Sequence, residues 1–187
     1  VYKRQGILKG MYKLQSTDAD DKQATIQLLG SGTILNEVVD AAAILKDEYG
    51  IGSDVWSITS FNELARDGND VERHNRLNPD AESRTAYITQ CLQDAQGPVL
   101  AATDYMKVYS DQVRAWIPGS YTVLGTDGFG RSDTRAQLRK FFEVDTANIV
   151  VAALKALADD AAIDTQVVKD AIEKFELDPN KPNPISR

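Results

Sequence analysis

The stretch LGTDGFGRSDTRAQLRKFFEVD, Leu124 to Asp145, decides the fold, because an apolar strand runs into a glycine-broken acidic loop and then directly into a helix. Tyr121, Thr122 and Val123, just ahead of Leu124, are aromatic, β-branched or apolar and suit a half-buried pleated strand. Gly125, Gly128 and Gly130 let the chain turn sharply after it. Ser132 or Asp133 is placed to cap a helix that begins near Thr134 and carries Leu138, Phe141 and Phe142 toward a core. In an open α/β sheet, ligands and partner domains gather outside the strand carboxyl ends. A loop holding Asp127, Phe129, Arg131 and Asp133 there is poised for contact.

The same grammar recurs on the amino-terminal side. Ala24 to Leu29 is a core strand ending at Gly30-Ser31-Gly32, and the helix that follows, Thr33 to Tyr49, sets Ile34, Leu35, Val38, Val39, Ala42 and Leu45 on one face before Gly50 stops it. Asp54 to Thr59 is the second core strand. Val99 to Ala102 is the third, with Thr103 and Asp104 at its carboxyl end. Met11 to Leu14 is predicted as a short edge strand, followed by a polar turn from Ser16 to Lys22.

Between the second and third strands lies a polar excursion, Ser60 to Arg84, anchored by Phe61, Leu64 and Leu77. Part of it is helical, and Arg66-Asp67-Gly68-Asn69-Asp70 is expected to end that piece. Thr85 to Ala95 is predicted as a further helix. Met106, Tyr109, Val113 and Trp116, at spacings of three and four, predict another that Pro118-Gly119 stops. Asp145 and Asp164 are suited to the N-caps of helices over Thr146 to Asp160 and Thr165 to Phe175, and Leu177 to Arg187, rich in proline, is expected to be extended. Alternating strands and helices predict α/β layers around a mostly parallel sheet. The organisation expected is a linker and edge strand over 1–22, a single α/β domain over 23–176 and a tail over 177–187.

Composition narrows the function classes. A chain of 187 residues can bury one sizeable core. A formal charge of −7 argues against nucleic acid as a partner, because phosphate binding calls for a basic face. Asp18, Asp20 and Asp21 are expected as a solvated loop. One cysteine, Cys91, cannot form an internal disulfide, and a reducing cytoplasm fits. No stretch approaches the roughly 18 apolar residues of a membrane helix. The first residue is Val1 and Val1 to Gly6 holds no apolar run, so no signal peptide is expected and the chain is expected to be cut from something longer.

The chemistry-bearing residues point away from catalysis. Gly30-Ser31-Gly32 between strand and helix is the kind of turn that cradles phosphate. Position 35, however, is leucine where a dinucleotide fingerprint needs glycine, and a plain tight turn is expected. His74, the lone histidine, sits in a polar stretch without an identifiable nucleophile nearby. Cys91 lies beside Ile88 and Leu92 on an apolar helix side, where burial raises a thiol pKa. Asp67, Asp70, Asp104, Asp127 and Asp133 are the candidates for a metal or acid/base site, since several of them follow strands. Helix caps and bridges to Arg66, Arg73, Arg131 and Arg135 are the expected use. Trp56 and Trp116 are expected in the core or at a domain contact.

GTDGFGRSDTR, then FFEVD and an Ala/Val-rich helix, resembles the C-terminal domain of the homodimeric type of pyruvate dehydrogenase E1 component and, more distantly, that of transketolases. LLGSGTIL (Leu28 to Leu35), SDVWSITSFNELARDGNDVERHNRLNP (Ser53 to Pro79) and TDYMK (Thr103 to Lys107) carry the same resemblance, which spans about Gly10 to Pro184 in the expected order. It implies a three-layer αβα fold whose five-stranded mixed sheet is mostly parallel with one antiparallel edge. It also implies a parent enzyme that decarboxylates pyruvate on thiamine diphosphate and Mg2+, held by upstream domains, and acetylates the lipoyl group of the E2 dihydrolipoyl acetyltransferase. By resemblance this segment is a third, non-catalytic domain that packs on those upstream domains and on the second E1 subunit of a homodimer. Arg66, Asp67, Asp104, Tyr105, Asp127, Phe129, Arg131 and Asp133 are the candidates for that contact, on loops at one edge of the sheet. A free-standing flavodoxin-like binding module is the alternative.

Overall fold

The apolar runs after Ala24 become strands whose neighbours are set by a change of winding direction. A computed structural model describes residues 2–20 and 24–186; Asp21 and Lys22 of the expected polar turn, and Arg187, lie outside them. Strand β1 (Met11–Thr17) runs antiparallel to β3 (Gly52–Ile58), while β2 (Thr25–Ser31) pairs in parallel with both β3 and β4 (Val99–Ala102), and β4 in parallel with β5 (Tyr121–Leu124). The order is β1-β3-β2-β4-β5, the mixed five-stranded sheet expected, with β1 as its antiparallel edge.

Alternation along each strand divides the core into two layers. Leu28, Val55 and Leu100 point to one face, where α2 (Ile34–Tyr49), α7 (Thr146–Asp159) and α8 (Thr165–Lys174) assemble Val38, Leu45, Ile149, Leu154 and Ala171 against them. Leu29, Trp56 and Ala101 point to the other, packed by Phe61 and Leu64 of α3 (Phe61–Leu77) and Ile88 and Leu92 of α4 (Tyr87–Leu92). The local signals for α2, α7 and α8 hold: Gly50 ends α2 in the left-handed region, and Asp145 and Asp164 accept from Asn148 N and Gln166 N.

Several expectations are corrected. Helix α3 does not end at Arg66 to Asp70. It continues to Leu77, because Gly68 is a contact rather than a breaker: a Cβ there would stand 2.3 Å from the Trp116 ring. The Met106 to Trp116 stripe is not one helix but α5 (Lys107–Asp111) and a 3-10 turn over Arg114–Trp116, and only Val113 among its apolar residues is fully buried. Helix α6 (Arg135–Phe142) is capped by Thr134, whose hydroxyl accepts from Gln137 N at 3.4 Å, rather than by Ser132; Asp133 contributes one step earlier, its carboxylate accepting from Thr134 N at 2.6 Å. None of its side chains is fully buried, and Phe142 alone packs on the main core. Ahead of β1 stands helix α1 (Tyr2–Lys9), in the stretch expected to be linker. Asp20 pairs with Lys46 instead of standing free.

Candidate functional site

Because β2, β3, β4 and β5 are parallel, the segments that follow them emerge at one edge of the sheet. The loops after β4 and β5 interlock there. Thr103 N donates to Leu124 O at 3.1 Å, Thr126 N to Tyr105 O at 3.0 Å and the Thr126 hydroxyl to Asp104 O at 2.9 Å. The Asp127 carboxylate accepts from Lys107 N at 3.1 Å. Ser31, at the end of β2, ties the central strand in through its hydroxyl, which donates to Thr103 Oγ1 at 2.8 Å.

Asp104 occupies a telling place. Its carboxylate accepts from the Thr33 hydroxyl at 3.1 Å and lies 2.8 Å from where a Cβ on Gly32 would be. An anion already faces the amino end of α2, the spot a phosphate would need. A phosphate oxygen there would meet like charge.

The structure brings Asp104, Tyr105, Asp127, Phe129, Arg131 and Asp133 to this one edge. Arg66 and Asp67 sit instead on the second turn of α3, where Arg66 pairs with Glu63 at 2.7 Å and the Asp67 carboxylate accepts from Tyr87 N at 2.6 Å, at the start of α4. The expected bridges between arginines and aspartates do not form among the described residues. Asp67, Asp104, Asp127 and Asp133 each accept from a backbone N–H or a hydroxyl, and Arg131 stacks 4.1 Å above the Phe141 ring. A short aspartate side chain reaches the amide of a nearby turn more readily than a distant guanidinium.

Sequence reasoning missed the apolar character of this edge. Tyr105, Met106, Val108 and Phe129 are exposed, Phe129 to 80%, and the Tyr105 and Tyr109 rings lie 4.8 Å apart. The helical spacing of Met106 and Tyr109 gives no sign that they stand exposed. Two clefts open on the same side. One, of about 450 Å³, runs between Ser31, Ser60, Thr103 and Tyr105. The other, of about 490 Å³, has Ile34, Leu138 and Phe142 as its floor and Arg131 and Arg135 at its rim.

Elsewhere the titratable groups are structural. Burial pushes the Cys91 thiol up and the Tyr87 phenol to about 12, which leaves the thiol a poor nucleophile. His74 lies on α3 with Nδ1 3.4 Å from the Asn78 amide nitrogen. Trp56 is buried, its indole N–H donating to Gln27 at 2.9 Å. No helix among the described residues is long and apolar enough to cross a membrane.

Residues 10–145 match the family model described as transketolase-like TK C-terminal domain. Pyruvate dehydrogenase E1 components of Pseudomonas aeruginosa, Cupriavidus necator and Escherichia coli K12 are 55%, 52% and 54% identical over 184, 182 and 181 residues. These matches cover 97%, 97% and 96% of this chain but 20% of each relative, so the chain spans about a fifth of their length. Among solved structures, a transketolase from Campylobacter jejuni superposes with a TM-score of 0.52 at 18% identity over 79% of this chain and 18% of its own. A Pichia stipitis transketolase in complex with sedoheptulose-7-phosphate gives 0.53 at 24% over 82% and 19%. At such identities the likeness is one of fold.

Proposed function

The chain belongs to the transketolase-like C-terminal domain family, and from that premise we propose that it is the C-terminal domain of a thiamine-diphosphate-dependent pyruvate dehydrogenase E1 component. The observation that carries this reading is identity of 52% to 55% along nearly the whole chain with proteins of that name, of each of which it spans a fifth. The parent enzyme decarboxylates pyruvate and passes the acetyl group to the lipoyl arm of an E2 acyltransferase. It works as a cytoplasmic homodimer.

The residues of this chain do not suit the diphosphate or its cation. The Gly30-Ser31-Gly32 turn, built like a phosphate cradle, faces the Asp104 carboxylate. No group of three or more His, Cys, Asp or Glu side chains that would hold a metal ion occurs among the described residues. Thiamine diphosphate and Mg2+ belong to the parts of the parent outside this chain. What this chain contributes is a rigid α/β body and a contact edge. Asp104, Tyr105, Asp127, Phe129, Arg131 and Asp133 face the rest of the subunit and its dimer mate across that edge. The exposed apolar side chains beside them support the assignment, because an isolated soluble domain gains nothing from presenting them.

The test is complementation. Pyruvate-dependent acetylation of a lipoyl acceptor is measured for this chain, for the parent lacking it, and for the two mixed, with both cofactors supplied. The expected result is no turnover by this chain, little by the truncated parent, and recovery on mixing. Turnover by this chain alone, or undiminished turnover by the truncated parent, overturns the reading.

A further inference from the structure

Residues 177–186, expected as an extended tail, lie back across the domain. Leu177 N donates to Ile172 O at 3.0 Å, closing α8. The Lys181 amine then donates to the carbonyls of Lys140 and Phe141 at 3.0 and 2.7 Å and pairs with Glu143 at 3.2 Å. These carbonyls belong to the last turn of α6, which a helix leaves without partners of its own, so a lysine from a separate segment completes the helix end.

Three residues later the turn over Pro184–Ser186 rests on the loop between β5 and α6. Pro184 is buried, and Gly128, at φ 103°, passes so close that a Cβ on it would stand 2.6 Å from Pro184 O and 3.1 Å from Ile185 Cα. The path of the loop and the path of the tail are therefore set together. The same contact leaves Ile185 58% exposed on the loop that carries Phe129.

We infer that residues 177–186 are a strap that fixes the Asp127 to Asp133 loop and adds Ile185 to the surface presented to the rest of the parent polypeptide. The second half of this inference rests on the function proposed above; the first half does not. The occupant follows from two observations. Most of the length of each relative lies outside the stretch this chain matches, and Ile185 extends the exposed apolar edge already formed by Tyr105, Val108 and Phe129. The opposing surface is accordingly apolar, with an acidic group suited to the Arg131 guanidinium at the rim.

Two measurements separate the halves. Hydrogen exchange is followed in the 187-residue chain, in a chain ending at Glu176 and in Lys181→Met. The expected result is exchange of the 126–134 amides faster by about tenfold or more in both variants, with the β2 and β4 amides unchanged. If the shortened chain loosens throughout, Lys181→Met decides; unaltered exchange over 126–134 in Lys181→Met then overturns the strap. Binding to the parent lacking this domain is measured for the unaltered chain and for Ile185→Ser. The expected loss in Ile185→Ser is about tenfold, with loop exchange unchanged. Equal binding by the two overturns the surface role of Ile185. No binding by the unaltered chain overturns the proposed function and the surface role with it, and leaves the strap to stand or fall on the exchange result.

Discussion

Asp54 of β3 accepts from the Lys13 amine at 2.8 Å and from the Ser16 hydroxyl, both on β1. Burial pushes its pKa up, but the hydrogen bonds from Lys13, Ser16 and Gln27 outweigh burial and hold the carboxyl below its usual range. A carboxyl with a lower pKa folded than unfolded stabilises the fold fully above its unfolded value, about 3.9, and loses that contribution as pH falls through the folded one. Lys13 is 45% exposed, so solvent screens part of the pairing. Asp54→Asn is expected to cost about 1 kcal/mol at pH 7, with the difference closing in acid below that range. Urea unfolding of both proteins at neutral and acid pH checks it, and a gap that stays constant with pH would mean that charge plays no part. Nothing in the sequence joins positions 13 and 54. The link comes from the antiparallel register that sets Ser16 opposite Asp54, and pairings so far apart leave no local signal.

Glu37 shows how whole helices are joined. Standing in the first turn of α2 with its side chain 16% exposed, it accepts from Arg139 Nη1 of α6 at 2.5 Å and from Thr146 N and the Thr146 hydroxyl of α7 at 2.9 and 2.7 Å. One carboxylate thus clamps three helices and supplies an acceptor at the amino end of α7, beside the Asp145 cap. Glu37→Ala leaves a guanidinium and a backbone N–H without their partner in a mostly buried place and is expected to cost about 2–3 kcal/mol. Glu37→Gln keeps the acceptor for Thr146 and is expected to cost about 1 kcal/mol. Denaturant midpoints order the three proteins, and equal losses in the two variants would contradict the capping role. At this scale, elements with local signals were legible: α2 from its apolar face and Gly50, α7 and α8 from Asp145 and Asp164. The errors arose where a distant contact decided the outcome. Gly68 carried the mark of a helix end until the Trp116 ring, far along the chain, gave it a place inside α3. The candidate edge was half legible. The rule that loops after parallel strands share one side located Asp104 and Asp127, whereas the exposed apolar row and the strap depend on which way α5 and the tail fold.

For the molecule as a whole, the sheet order gathers every loop that follows a parallel strand on one side, so the proposed contacts are asymmetric. The chain as a whole is acidic, with a net charge of −7. The consequence is a substitution whose effect depends on context. Val108 and Phe129 are 62% and 80% exposed, so replacing both with serine removes almost no burial from the isolated chain, and its unfolding free energy is expected to shift by no more than about 0.5 kcal/mol. In the parent enzyme the same side chains lie in the proposed contact, where burying each contributes about 1.5–3 kcal/mol. The pair of substitutions should therefore leave the urea midpoint of this chain unchanged while weakening its binding to the parent lacking this domain by about a hundredfold or more, since each 1.4 kcal/mol is a factor of ten. Titration of the truncated parent with the two forms of the chain measures it directly. Equal affinities would place the contact on some other face, and a lowered midpoint in the isolated chain would mean that Val108 and Phe129 serve its own core.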